Sequence, residues 1–326
     1  MSATAGYVGA LGDLPPCVAT GYQLQTSIDG GTTWQVSGTG PFAPSGLLEA
    51  GIAQEAGPTQ ATLIDGVNLA LVKLPCEVLI DTEIMRCDAL SSTTGIVTLA
   101  RGCVDTVPAA HVAGARVWFT DGWTAAAGTE FITGETIQAK LLTQAGSGTL
   151  DPSLAPTASL TLNERQIRPY VPSIVLNGSR YPASVTAPVT VGLARRNRLT
   201  QADQLIDATQ ADITPEANQT ASVTFKTSGG TTLSQQPGIT GNAAAPWSPS
   251  STGTYTITVQ AVRDGFNSWQ TAQWTGNIVV GGSPAMTLAG TLPAATAGTA
   301  YSGHLTLAGD FTAPVTIDAS SGTIPA

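Results

Sequence analysis

From Ala61 onward the chain is a succession of short apolar and β-branched runs, each cut off by turn residues. ATLIDGVNLALVKL, EVLIDTEIMRCDAL, GIVTLARGC and ARVWFTDGW follow one another, and FITGETIQAKLLT and ASLTLNERQIRPY continue in the same style. Runs of about four to eight residues bounded in this way are strand signals. The chain is therefore predicted to be all-β.

The hairpin signals agree. In YQLQTSIDGGTTWQV, Tyr22–Val36, two alternating runs flank Asp29-Gly30-Gly31, and glycine supplies the positive φ that tight turns require. Asn177-Gly178 and Asp264-Gly265 are further turn pairs. In YTITVQAV, Tyr255, Ile257, Val259 and Ala261 alternate with more polar positions, the pattern of a half-buried antiparallel strand. In EVLIDTEIM, Val78, Ile80, Thr82 and Ile84 share one parity, and Leu79, Asp81, Glu83 and Met85 share the other. As a single strand it would carry Asp81 and Glu83 on one face, mostly toward solvent. Leu199–Ile213, LTQADQLIDATQADI, reads either as a short helix or as an irregular long loop.

With 326 residues the chain has room for two to four domains. The expected division is an N-terminal hairpin segment over 1–48, either the last strands of something larger or an element that docks on a partner, and a β-rich domain of barrel or sandwich type over 49–170. A β-sandwich over 171–281 follows, then a partial immunoglobulin-like module over 282–326 after the GGSP linker. That last piece is too short to bury a core by itself.

Composition narrows the function classes. Only 11% of residues are charged, against about 25% in ordinary globular proteins, and Gly, Pro, Ser, Thr and Ala take their places. The net charge of −9 opposes sequence-independent nucleic-acid binding, which needs clustered cations. Six arginines do cluster, at 165, 168, 180, 195, 196 and 198. They read as solvated strand faces or a subunit contact, with a phosphate- or lipopolysaccharide-binding patch as the second reading. No stretch reaches the roughly 18 apolar residues of a membrane span. No cationic, apolar leader precedes the first basic residue, Lys73, so folding in a bacterial cytoplasm is expected.

Candidate chemistry is sparse. The cysteines Cys17, Cys76, Cys87 and Cys103 have neither metal-ligand nor disulfide-scaffold spacing. Buried free thiols are expected. A bridge among Cys76, Cys87 and Cys103 requires neighbouring strands to bring two together, and a reducing cytosol opposes it. The two histidines are His111, in the loop PAAHVAGA, and His304, in SGHLTL. His111 reads as a turn-stabilising imidazole, with a general base or metal ligand as the alternative. Asp81, Glu83, Asp88 and Asp105 form the best acidic cluster. Paired carboxylates about 5–10 Å apart can hydrolyse glycosides, but Trp118 and Phe119 are the only aromatic residues near them. No catalytic set, metal site or cofactor is expected, and the chain is not expected to be an enzyme. Trp269 and Trp274 have opposite parity, so one should face outward. These two, with Arg195, Arg196 and Arg198, are the candidate surface or partner contacts.

Three stretches carry a resemblance: ARGCVDTVPAAHVAGARVWF (100–119), RQIRPYVPSIVLNGSRYP (165–182) and LARRNRLTQ (193–201). In this order they resemble tail-tip, baseplate or tail-fibre proteins of long-tailed bacteriophages. The sandwich over 171–281 resembles a fibronectin type III domain, and LPAATAGTAYSGHLTLAG with SSGTIPA resembles a bacterial Ig-like module. The chain departs from the phage pattern at Ala194, near where an aromatic often stands, and in lacking the large upstream hub domains. The resemblance implies a structural virion protein at the tail tip, contacts with other tail proteins and a homo-trimer. It also implies attachment to a host glycan or receptor. A surface adhesin or carbohydrate-binding module, and more remotely a depolymerase, are the competing classes.

Overall fold

A computed structural model describes residues 5–281 except Cys17, Ala56 and Ala211, together with the short strands Thr287–Ala289 and Thr306–Ala308. The architecture is all-β. The α-helical content among the described residues is one turn, Arg198–Gln201, whose Asn197 side chain accepts from the Leu199 N–H as a cap. The ambiguous 199–213 stretch is thus mainly irregular.

The Tyr22–Val36 hairpin forms as its turn residues dictate. The strands Gly21–Ser27 and Gln35–Gly40 pair antiparallel, with Gly30 and Gly31 at positive φ. Gly21–Ser27 also pairs with Thr136–Ala145, so this hairpin docks on its own chain. Leu24, Tyr22, Phe42, Phe131 and Ile137 bury together in the core of this sheet.

Between the two outer partners of Gly21–Ser27 the chain makes a second body. Six antiparallel strands close a small barrel in the order Arg116–Phe119, Ser45–Leu48, Thr59–Val67, Ile96–Ala100, Glu83–Leu90 and Cys76–Ile80. The strand Ser45–Leu48 belongs to it, so a boundary at 48/49 is replaced by a barrel inserted into the first sheet. Its interior holds Leu48, Val78, Ile80, Met85, Leu99, Val117 and Phe119, and burying each large apolar side chain contributes about 1.5–3 kcal/mol.

EVLIDTEIM is two strands and not one. Cys76–Ile80 and Glu83–Leu90 pair antiparallel with Ile80 opposite Glu83, and Asp81, at φ 51°, turns the chain. The two-residue turn shifts the inward parity from Cys76, Val78 and Ile80 to Glu83, Met85 and Cys87. Glu83 therefore enters the protein, contrary to a solvent-facing pair with Asp81.

Residues from Val171 to Ile278 share a third core between two layers. One layer is Ser173–Leu176 with Ser179–Arg180 and Val191–Ala194. The other runs Ser184–Thr186, Ala272–Val279, Gly253–Arg263, Thr220–Thr227 and Thr232–Ile239. Tyr255, Ile257, Val259 and Ala261 point inward in alternation. Trp247 stacks on Phe225 with centroids 4.5 Å apart and meets Tyr255 edge-on at 5.8 Å. Beyond residue 281, Thr287–Ala289 pairs with Thr306–Ala308. His304 and the rest of the expected Ig-like module lie outside the described residues.

Candidate functional site

Two polar side chains of the 100–119 segment, Arg101 and His111, converge on Glu83 at the mouth of the tight turn. Arg101 leaves the end of the Ile96–Ala100 strand and is fully buried. Its Nε and Nη2 donate to the two carboxylate oxygens of Glu83, both at 2.9 Å. Nη1 donates to the Ala53 carbonyl at 3.0 Å and to Thr59 Oγ1 at 3.2 Å, and Nη2 also reaches the Ala109 carbonyl. All five N–H groups of the guanidinium are thus used.

Glu83 is as fully engaged. Beyond Arg101 it accepts from the Gly102 N–H at 2.8 Å and the Ala109 N–H at 2.8 Å. His111 Nε2 lies 2.9 Å from the same carboxylate, and its Nδ1 lies 2.7 Å from Asp81. The imidazole is fixed because His111 and Ile52 exchange backbone hydrogen bonds, both 2.9 Å. Burial works against the Glu83 anion, but the bonds from His111 and Arg101 outweigh it and hold its pKa below the ordinary value. Burial likewise opposes the imidazolium, and the bonds to Glu83 and Asp81 raise the His111 pKa in spite of it. This arrangement locks a turn, with a carboxylate that holds no proton to donate.

The remaining acids of the cluster are dispersed. Asp88 pairs with Arg86 at 2.6 Å, and Asp105 takes a two-pronged contact from Arg165 at 2.6 and 2.7 Å. Among the described residues no group of three or more His, Cys, Asp or Glu is placed to hold a metal ion. No helix there is long and apolar enough to cross a membrane.

The arginine run is placed differently from a surface patch. Arg195 and Arg196 are 0% and 2% exposed. Arg195 donates to the Ile239 and Gly241 carbonyls at 2.8 and 2.5 Å, and burial lowers its pKa. Arg196 donates to the Gly102, Thr106 and Ile206 carbonyls at 2.9, 3.2 and 3.0 Å. Arg198 is partly buried and bound to Glu216 at 3.1 Å. As surface contacts, Arg195 and Arg196 are therefore corrected: their guanidiniums gather backbone carbonyls inside the protein. Trp274 is corrected too, being 3% exposed with its indole N–H on the Pro182 carbonyl at 2.6 Å.

Arg196 is one of several ties between barrel and sandwich. Gln270 donates to the Thr82 carbonyl at 3.0 Å and accepts from the Val107 N–H at 2.8 Å. Arg86 donates to the Leu205 carbonyl at 2.6 Å, and the Ala208 N–H to the Arg101 carbonyl at 2.9 Å. Sequence reasoning passed over Arg86, Gln270 and Glu216, because nothing local distinguishes a bridging polar residue from a solvated one.

Trp269 is the indole that faces outward, at 37% exposure. The Arg165 guanidinium stands 5.3 Å from its ring centroid, within cation–π range. Both line a cavity of about 520 Å³ whose walls include Tyr7, Asp105, Tyr170 and Arg198. Burial pushes the Tyr170 hydroxyl up to about 12, so it stays a neutral donor.

No protein-family model matches the chain, and no curated protein matches it. Among solved structures, a Corynebacterium diphtheriae protein described as membrane anchored aligns at 11% identity and a TM-score of 0.24. That alignment covers 81% of this chain and 59% of the other, so the chain spans under two thirds of that protein's length. The FN1–FN3 domains of chicken CNTN1 align at 12% identity and a TM-score of 0.21, over 76% of this chain and 72% of theirs. Scores this low carry no argument about fold or function.

Proposed function

We propose that the chain is a structural component of a phage tail tip, baseplate or fibre, a scaffold that contributes to host attachment. The observation that carries this reading is where the 100–119 segment spends its polar groups. Arg101 and His111 are bound to Glu83, and Asp105 is bound to Arg165. Thr106 Oγ1 donates to the Cys103 carbonyl at 2.7 Å and accepts from the Ile84 N–H at 3.1 Å. The loop carbonyls receive Arg196. The residues that carry the sequence resemblance are thus invested in rigidity, as a load-transmitting part requires. A low charge content suits repeated subunit contacts, in a trimer and with other tail proteins. The fibronectin-like character of the sandwich and a glycan contact at the exposed Trp269 belong to the same proposal.

Immunogold labelling with an antibody against residues 5–281 tests it on particles and cells from a lysing source culture. Gold at the tail extremity of particles is the expected result. Gold confined to cell envelopes would replace this reading with a surface adhesin.

A further inference from the structure

We propose that Cys76 and Cys87 are a modification site, closing into a reversible disulfide across the barrel hairpin by exchange with a small-molecule disulfide. This inference goes beyond the tail-tip reading and does not rest on it.

Cys76 and Cys87 face each other directly in the register of Cys76–Ile80 and Glu83–Leu90. Both are free, and both point into the barrel, at 2% and 0% exposure. Directly opposed antiparallel residues have Cα atoms about 4.5–5.5 Å apart, inside the roughly 4.4–6.8 Å span of disulfides. The register cannot slip easily, because the Ile80–Glu83 pair that closes the turn is held by Arg101 and His111. The third buried thiol is separate: Cys103 Sγ faces the Ala100 carbonyl at 3.8 Å, and burial raises its pKa to about 12.

The two thiols of the pair are unequal. The adjacent Cys87 thiol lowers the pKa of Cys76 against the effect of burial. Cys87 is raised, first by its contact with Cys76 and then by burial. Cys76 is assigned as the attacking sulfur because it lines a cavity of about 350 Å³ with Lys73, Phe119 and Trp123, which gives a small oxidant a route.

The steps balance. The Cys76 thiolate attacks one sulfur of the small disulfide, forming a mixed disulfide and expelling one thiolate, which takes up a proton. Cys87 then loses its proton and attacks Cys76 Sγ, forming the Cys76–Cys87 bond and expelling the second small thiol. Two protein thiols are oxidised, and one small disulfide is reduced to two thiols.

The sequence makes the test direct, because trypsin cuts after Lys73, Arg86, Arg101 and Arg116. Cys76, Cys87 and Cys103 then fall on separate peptides, 74–86, 87–101 and 102–116. The folded chain is incubated with oxidised 2-mercaptoethanol, quenched in acid, alkylated under denaturing conditions, digested and analysed by mass spectrometry. The expected product is 74–86 joined to 87–101, at least about tenfold more abundant than any disulfide-linked species containing 102–116. A Cys87→Ser chain should instead retain mercaptoethanol on Cys76. Full alkylation of Cys76 and Cys87 at every oxidant ratio, or equal linkage to Cys103, overturns the proposal. If the Cys87→Ser chain does not fold, the peptide map of the unsubstituted chain decides alone.

Discussion

The Arg196 guanidinium donates to the Gly102 carbonyl at 2.9 Å from a position that is 2% exposed. A buried cation of the sandwich thereby closes a loop of the barrel. It has no carboxylate partner in a salt bridge among the described residues, so its charge is balanced by carbonyl dipoles, and burial lowers its pKa. Arg196→Met should retain volume but orphan three carbonyls, costing about 1–3 kcal/mol for each one left buried and unpaired. Urea unfolding followed by fluorescence should then broaden toward two transitions, as the coupling of barrel and sandwich weakens.

Glu83→Gln should be among the most damaging single changes in the barrel. It leaves Arg101 buried without its counter-charge, and breaking a buried pair this way costs about 3–5 kcal/mol. The measurement is the urea midpoint. A loss below about 1 kcal/mol would mean that the turn is held by its backbone alone.

Glu83 and His111 define opposite limbs of a pH profile. The Glu83 pKa is lowered on folding, so its contribution is present above the unfolded value of about 4.3 and fades as pH falls. The His111 pKa is raised on folding. Its contribution is complete below about 6.5 and is lost as pH rises through the higher folded value. In His111→Asn the melting temperature should be flatter than in the parent between neutral and mildly alkaline pH, as read by calorimetry. Parallel profiles for the two chains would refute the linkage.

The two neighbouring tryptophans should respond unequally. Trp274 fills the sandwich core and hydrogen-bonds Pro182, so Trp274→Ala should cost about 3–5 kcal/mol. Trp269 is 37% exposed, and its replacement by Ala should change stability by less than about 1.5 kcal/mol, the scale of its contact with Arg165. Denaturation midpoints of the two variants provide the comparison.

Subunit number is accessible to mass photometry and light scattering at micromolar concentration. A trimer is the expected result, and a monomer both in isolation and in particles would remove the threefold assembly from the proposed function.

Strand content was legible because period-2 alternation is local: Tyr255 to Ala261 follow it without exception. Asn177-Gly178 turned as its chemistry requires, with φ 46° and 88°. Asp81 and Glu83 show where such reasoning stops. A two-residue turn with an Asp and a Thr in place of a glycine leaves little mark, yet it exchanges the inward and outward faces of every residue after it. Arg195 and Arg196 fail for another reason. Nothing in their local sequence marks them as buried, and their hydrogen-bond acceptors lie as far away as Gly102 and Gly241. A composition argument sees the charge and not the distant carbonyls that take it inside.

The nesting of the barrel within the first sheet has a mechanical consequence. Gly21 faces Gln144 and Ser27 faces Gln138, so the backbone enters and leaves that ladder at the same end. Tension on the chain would peel those rungs one after another. The barrel, enclosed in the slack behind them, would meanwhile be pulled only through its hydrogen-bonded ties to the sandwich.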